Sequence, residues 1–348
     1  MVGRLPGHDQ DVTRYLDPLA TCSSEALPHH GLLAVLFDFI MHADDILVKE
    51  IVKSCMARSL ELYSGFFGDA CVMSNHVHLM FGVDTPSHVD RIMRHLKTES
   101  AFVINNLLGR PGGSIWEERY DAPVVLDVHK YIEKAAYILS NPLAADLVET
   151  IEEYPHFSSW NGMEQREVVY KCMRFKRKET PQLPGGFVER QVAAKLYRGL
   201  KHRCRNRRKL TLTLSFERIF EMLKRPDCSM SFEEFRQAIR ERVKELEQKH
   251  QERRERLRER VLGRAALESA CAHQEHQPEK HGQRMLCLGS SPQERKWYVR
   301  TYRKWVQACQ EAFDRWQEGA RNVLFPPGFY PPGGMRPLAS MVPAGFWR

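Results

Sequence analysis

Apolar positions between residues 31 and 144 fall into blocks of two kinds, near-continuous runs and runs spaced at three and four. Gly31 to Met41 (GLLAVLFDFIM) is almost unbroken and predicts a buried strand. Ile46, Leu47, Ile51, Val52, Met56, Leu60 and Leu62 recur at helical spacing, so Asp44 to Ser64 predicts an amphipathic helix that Gly65 and Gly68 break. Asp69 to Val83 (DACVMSNHVHLMFGV) predicts a strand interrupted or bulged near Ser74-Asn75. Thr85-Pro86-Ser87 is a turn and cap signal before a helix over His88 to Leu108, which Arg110 to Gly113 (RPGG) ends. Trp116 to Leu126 predicts a further strand, and Val128 to Ser140 a further helix closed by Pro142. The order β-α-β-α-β-α suits an α+β fold with helices packed on a mainly antiparallel sheet.

The remaining pattern divides the chain into three regions. Residues 1–30 show no clear period and form an irregular lead-in. Residues 31–165 hold the α+β domain, and residues 166–348 form a basic, mainly helical C-terminal region. Pro181 to Gly186 (PQLPGG) is a linker signal. Ser231 to Ala266 alternates Glu and Arg around sparse apolar residues, which predicts a long, partly exposed helix. Ala272 to Gln283 is polar and loop-like, Trp297 to Trp316 carries an aromatic helical stripe, and the chain from Phe325 onward is Pro/Gly-rich.

Charge adds a partner to this outline. The net charge is +8, yet Lys171 to Leu210 alone holds 14 Lys/Arg against 2 Asp/Glu. An excess of that size in one stretch fits either a polyanion partner or a solvated basic surface. No stretch approaches the roughly 18 uncharged apolar residues of a membrane helix, so no membrane role is expected. No basic segment followed by an apolar run opens the chain, so no secretory signal is expected either. The nine cysteines (Cys22, Cys55, Cys71, Cys172, Cys204, Cys228, Cys271, Cys287 and Cys309) are scattered and never spaced C-x-x-C, which fits free thiols in a reducing cytoplasm.

Two short segments carry candidate chemistry. In Asn75-His76-Val77-His78-Leu79, residues two apart on a strand share a face, so His76 and His78 can aim two imidazoles at one cation. Two histidines and one oxygen ligand suit Mg²⁺, Mn²⁺ or Zn²⁺ with positions left open for substrate. In Tyr137-Ile138-Leu139-Ser140-Asn141-Pro142, Tyr137 and Asn141 share a helix face, so an amide oxygen and a phenol lie one turn apart. Each segment alone has a plain structural explanation, as strand histidines or as an aromatic packing stripe. Cys271-x-His273-x-x-His276 offers three spaced ligands without a clear fourth. His129 and His156 flank the second segment as further imidazoles. No G-x-x-x-x-G-K-[ST] loop is present, so nucleotide-driven chemistry is not expected.

Taken together, the segments resemble a known family. SNHVHLMF is similar to the histidine–hydrophobe–histidine signature of the HUH endonuclease superfamily, and YILSNPLAADLV to the Tyr-Ile-x-x-Asn-Pro segment of REP-associated tyrosine transposases and their insertion-sequence relatives. Trp116 to Tyr120 (WEERY) and Tyr154 to Trp160 (YPHFSSW) extend the resemblance over residues 30–162, and Val323 to Gly328 (VLFPPG) resembles a short tail element of longer members. The resemblance implies an HUH-type sheet, a Mg²⁺ or Mn²⁺ ion held by His76, His78 and Asn141, and Tyr137 as the nucleophile that leaves a 5′-phosphotyrosine and a free 3′-OH. It implies single-stranded or hairpin DNA as partner, a bacterial, nucleoid-associated setting, and either a monomer or a homodimer. A catalytically idle hairpin-DNA-binding regulator is the alternative. Candidate DNA contacts are Arg91, Arg94, Lys97, Arg119 and Lys130, and in the basic stretch Arg203, Arg205, Arg207 and Arg208. The run Leu143-Ala144-Ala145-Asp146 departs from the family's small or basic residues after Asn-Pro and puts a carboxylate near the site. Asp38, His42, Asp44 and Asp45 are a second departure, where more basic character is expected.

Overall fold

The computed structural model describes residues 32–38, 46–73, 75–84, 87–116, 120–175, 182, 195, 198–199, 210–226, 228–268, 285–320 and 322–326. The lead-in, most of the linker, the four arginines of the basic stretch, the Cys271/His273/His276 cluster and the end of the tail lie outside these residues.

Strand β1 (Leu32–Asp38) is followed by helix α1 (Ile46–Leu62), β2 (Phe66–Val72), β3 (His76–Gly82), α2 (Ser87–Leu107), β4 (Val124–Val125) and α3 (Val128–Ala144). Beyond them come β5 (Glu167–Cys172), β6 (Leu210–Ser215), α4 (Phe216–Leu223), α5 (Phe232–Leu257), α6 (Arg264–Glu268), β7 (Cys287–Leu288) and α7 (Pro292–Gln317). The strands form one sheet in the order β5-β6-β2-β3-β1-β4-β7. The pairs β1/β3, β2/β3, β1/β4 and β5/β6 are antiparallel, while β2/β6 and β4/β7 are parallel. The α+β class and the mainly antiparallel sheet match the expectation. Among the described residues, no helix is long and apolar enough to cross a membrane.

Several elements differ from the sequence reading, each for a local reason. The segment Asp69 to Val83 is not one interrupted strand but part of a hairpin, because β2 and β3 pair antiparallel and Met73 N–H donates to the His76 carbonyl at 2.8 Å. Among the described residues of the predicted strand over Trp116 to Leu126, the strand that forms has two residues. Pro123 has no N–H for a ladder, and Trp116 is instead held by its indole N–H, which donates to Ser100 Oγ at 2.9 Å. The helix α3 does not stop before Pro142 but runs to Ala144. The proline falls in the last turn, where it forfeits a single helical bond, while Ala145 N–H still donates to the Asn141 carbonyl at 3.0 Å. The long charged helix ends at Leu257, where Arg258 takes a left-handed conformation (φ 56°). The boundary expected at residue 165 does not mark the edge of the sheet. Strands β5, β6 and β7 all lie beyond it and pair into the same layer.

The core explains the covering of the sheet. Every side chain of β2 is buried, and in β3 all but His76, so both faces of these central strands are packed. Helix α1 buries Val48, Ile51, Val52, Cys55 and Met56 at helical spacing, and α2 buries Val89, Ile92, Met93, Leu96, Val103 and Leu107. Cys55, Cys71, Cys172, Cys228, Cys287 and Cys309 are free thiols, and burial pushes those of Cys55 and Cys71 up to about 12.

One buried charge ties the layers together. The ladder of β2 shifts register between Phe67 and Ala70, and this irregularity carries Asp69 into the interior. Gly68 permits it, since a Cβ there would meet Ile219 Cδ1 at 2.0 Å. The Asp69 carboxylate accepts from Tyr131 of α3 (2.8 Å), from Ser159 Oγ (3.1 Å) and from Arg236 of α5 (3.0 and 3.3 Å). Arg236 also donates to the Met163 carbonyl at 3.1 Å and lies over the Phe216 ring. Removing one partner of such a pair strands a buried charge. Arg236→Met is therefore expected to lower unfolding free energy by about 3–5 kcal/mol, with partial recovery in the Asp69→Asn/Arg236→Met double variant. Urea titration checks it, and an unchanged midpoint in the single variant would refute the role given to the pair.

A second expectation concerns acid. His156 packs edge-on against Tyr154, with ring centroids 5.2 Å apart. Burial, followed by the nearby charges of Lys49 and Arg264, pushes its pKa down to about 2. The unfolded chain binds this proton near the ordinary value of about 6.5. The stabilising contribution is thus complete above that pH and is lost progressively as pH falls toward 2. His156→Gln should flatten the decline in stability between pH 6 and 4. An acid limb of the same slope in both proteins, measured by urea midpoints across pH, would contradict this.

Candidate active site

The hairpin of β2 and β3 and the last turns of α3 bring the two candidate segments together. On β3, the register Leu36↔His78 and Asp38↔His76 fixes both histidines on one face of the strand. The rings lie 4.8 Å apart between centroids and nearly perpendicular, at 81°. Helix α3 starts at Asp127, whose carboxylate caps Lys130 N–H at 2.8 Å and also accepts from Ser290, which precedes α7. From that fixed start, the helix delivers Tyr137 and Asn141 one turn apart above the histidines.

Asn141 closes the group. Its side-chain amide nitrogen lies 3.2 Å from His76 Nε2 and in hydrogen-bond contact with His78 Nε2. An NH₂ group has two hydrogens, so it can donate to two imidazole lone pairs at once. The tautomers agree with this arrangement. His76 Nδ1 donates to Asn75 Oδ1 at 2.7 Å, which leaves the His76 Nε2 lone pair facing Asn141. His78 is 2% exposed, and its Nδ1 is buried with no hydrogen-bond partner among the described residues. Burial, then the neighbouring His76 and Lys134, hold its pKa well below the usual imidazole range, so it stays neutral at neutral pH.

Two imidazole Nε2 atoms and an amide therefore converge on one point. This donor set fits a divalent cation, provided that the amide presents its oxygen, the other end of the same group. Among the described residues no three His, Cys, Asp or Glu side chains gather as a ligand set, and the side chain that meets both Nε2 atoms is Asn141.

Tyr137 stands at the open side of this group. It is 47% exposed, and its ring meets the His78 ring edge-on at 5.7 Å between centroids. Lys134, three residues earlier on the same helix, places its ammonium 4.3 Å from the Tyr137 ring centroid. Burial lowers the Lys134 pKa, an effect that Asp121 opposes. The sequence reading passed over Lys134, although its spacing from Tyr137 was a usable signal. Asp146, the carboxylate that departs from the family pattern, is held by Arg253 and lies 3.5 Å from Arg254 of α5, so its charge is countered inside the chain.

The candidate DNA contacts divide. Arg94 is exposed and paired with Asp90 at 3.1 Å, and Lys130 is paired with Glu133. Lys97 lies over the Tyr120 ring and lines a cleft of about 590 Å³ with Phe102, Arg110 and Trp116. Arg91 and His129 are exposed. Arg119, Arg203, Arg205, Arg207 and Arg208 lie outside the described residues.

Residues 42–141 match the family described as "Transposase IS200 like". No curated protein matches the chain. A solved structure of a REP-associated tyrosine transposase bound to a REP hairpin is similar at a TM-score of 0.34 and 14% identity, over 38% of this chain and 79% of that one. The segment 42–141 that matches this family carries His76, His78, Tyr137 and Asn141.

Proposed function

We propose that this chain is a metal-dependent single-strand DNA endonuclease and strand transferase that works through a 5′-phosphotyrosine on Tyr137, with hairpin or repeat DNA as its substrate. The observation that carries the reading is the Asn141 amide bridging both Nε2 atoms one helical turn from an exposed tyrosine. His76 Nε2, His78 Nε2 and Asn141 Oδ1 would hold Mg²⁺ or Mn²⁺, which when bound draws charge from the scissile phosphate.

The chain's own groups account for the rest. Tyr137 Oη loses its proton and attacks phosphorus, and the departing 3′-oxygen takes up a proton, so one phosphodiester bond is exchanged for another. Because the bond is conserved, the 3′-OH of a new strand can reverse the step and join without ATP. Lys134 keeps a positive charge beside the attacking ring, where the incoming phosphate adds negative charge. The exposure of Tyr137 admits a flexible single strand, and the buried His78 anchors the ligand group behind it.

Labelled hairpin DNA with Mg²⁺ or Mn²⁺ should give a denaturation-resistant protein–DNA adduct. Tyr137→Phe should reduce the adduct to background and leave hairpin affinity within about twofold, since only the hydroxyl is lost. An adduct that persists in this variant would reassign the nucleophile, and binding with no adduct in the unaltered protein would favour the idle regulator. Metal binding is separately measurable. Asn141→Ala should weaken Mn²⁺ affinity, read by calorimetry or electron paramagnetic resonance, by roughly 10–100-fold, the scale on which metal sites lose affinity when a supporting group goes. Unchanged Mn²⁺ affinity would remove Asn141 from the ligand set.

A further inference from the structure

Helix α7 lies far along the chain from the transposase-type segment and divides into two faces. Tyr298, Trp305, Cys309 and Phe313 recur at helical spacing and are buried, the last three in a small apolar cluster of their own. On the opposite face stand Lys296, Arg300, Arg303 and Lys304, all exposed. None of these four has an acidic partner among the described residues. In helix α5, by contrast, most cations are paired. There, Arg240 pairs with Glu164, Arg242 with Glu245, Lys244 with Glu152 and Arg253 with Asp146. The acids of α7 near the cationic face are engaged elsewhere. Glu294 is taken by Arg225, and Glu311, about two turns past the stripe, accepts from Gln307.

We propose that this face of α7 binds the phosphate backbone of duplex DNA. From residue 296 to 304 the helix rises about 12 Å, and at about 3.4 Å of duplex axis per phosphate of one strand that length passes roughly three phosphates. A groove of about 780 Å³ runs beside the stripe, lined also by Met285, Leu286 and Val299, and gives the ridge of a backbone a place to lie. A rigid stripe of cations suits the regular charge spacing of a duplex. A single strand is gripped through stacked bases, and Trp297, 37% exposed at the margin of the stripe, is the aromatic this face offers for stacking.

This inference takes nucleic acid as the partner from the proposed function, but it does not require the chemistry at Tyr137. The test measures affinity of the full chain for a blunt duplex of about 20 base pairs by fluorescence anisotropy across a salt series. The variant carries Lys296→Gln, Arg300→Gln, Arg303→Gln and Lys304→Gln. It should bind at least tenfold more weakly near physiological salt, with the slope of log affinity against log salt shallower by about 3, close to 0.9 per lost phosphate contact. Arg300→Lys with Arg303→Lys keeps the charges and should keep the slope. Equal slopes and affinities in the unaltered and glutamine proteins, no duplex binding by the unaltered protein, or an equal loss for an unstructured single strand would each overturn the proposal. A loss of duplex binding together with no adduct on any strand would uphold the stripe and defeat the nuclease reading.

Discussion

A carboxylate in the middle of a sheet is unstable unless its neighbours supply both charge and hydrogen bonds, and Asp69 imposes that demand on this fold. Arg236 answers it from α5, Tyr131 from α3, and Ser159 from the turn that follows the α3 region. The two helices are thereby fixed against the same point of β2. The site follows from this placement, because Tyr137 and Asn141 project from α3 six and ten residues beyond Tyr131. An α3 free to slide by one turn would move by about 5.4 Å, more than the whole distance over which the Asn141 amide meets the imidazoles.

Much of the site was legible in the sequence because its parts are short and periodic. An H-x-H pair on a strand and a Tyr-x-x-x-Asn pair on a helix each declare a shared face by spacing alone. What spacing cannot declare is that the two faces meet. That depends on the antiparallel β2–β3 pairing and on a bulge at Asp69, both set by tertiary packing. Lys134 escaped notice for a related reason, since a lysine on a helix reads as a solvated charge until the ring beneath it is placed.

The less legible parts share one feature: a local rule outweighed by the surroundings. Proline 142 ends a helix on the sequence rule, yet α3 continues because the bonds around that residue survive and the segment is buried. Trp116 reads as a strand residue by apolar content, yet its indole is held by α2. Strand β7 has two residues and no pattern of its own, and it exists because β4 offers it an edge. Asp146 reads as a defect in the family pattern until Arg253 and Arg254 are brought beside it.

Helix α5 is tied to the α3 region near both of its ends, through Arg236 toward Tyr131 and through Arg253 and Arg254 toward Asp146. Brackets of this kind make two stretches of a gene co-inherited. A recombination event that exchanged only residues 42–141 would import an Asp69 and a Tyr131 without their Arg236, while Asp146 stayed with Arg253. Descendants of this lineage should therefore change Asp69 together with Arg236, and Asp146 together with Arg253, across distant codons.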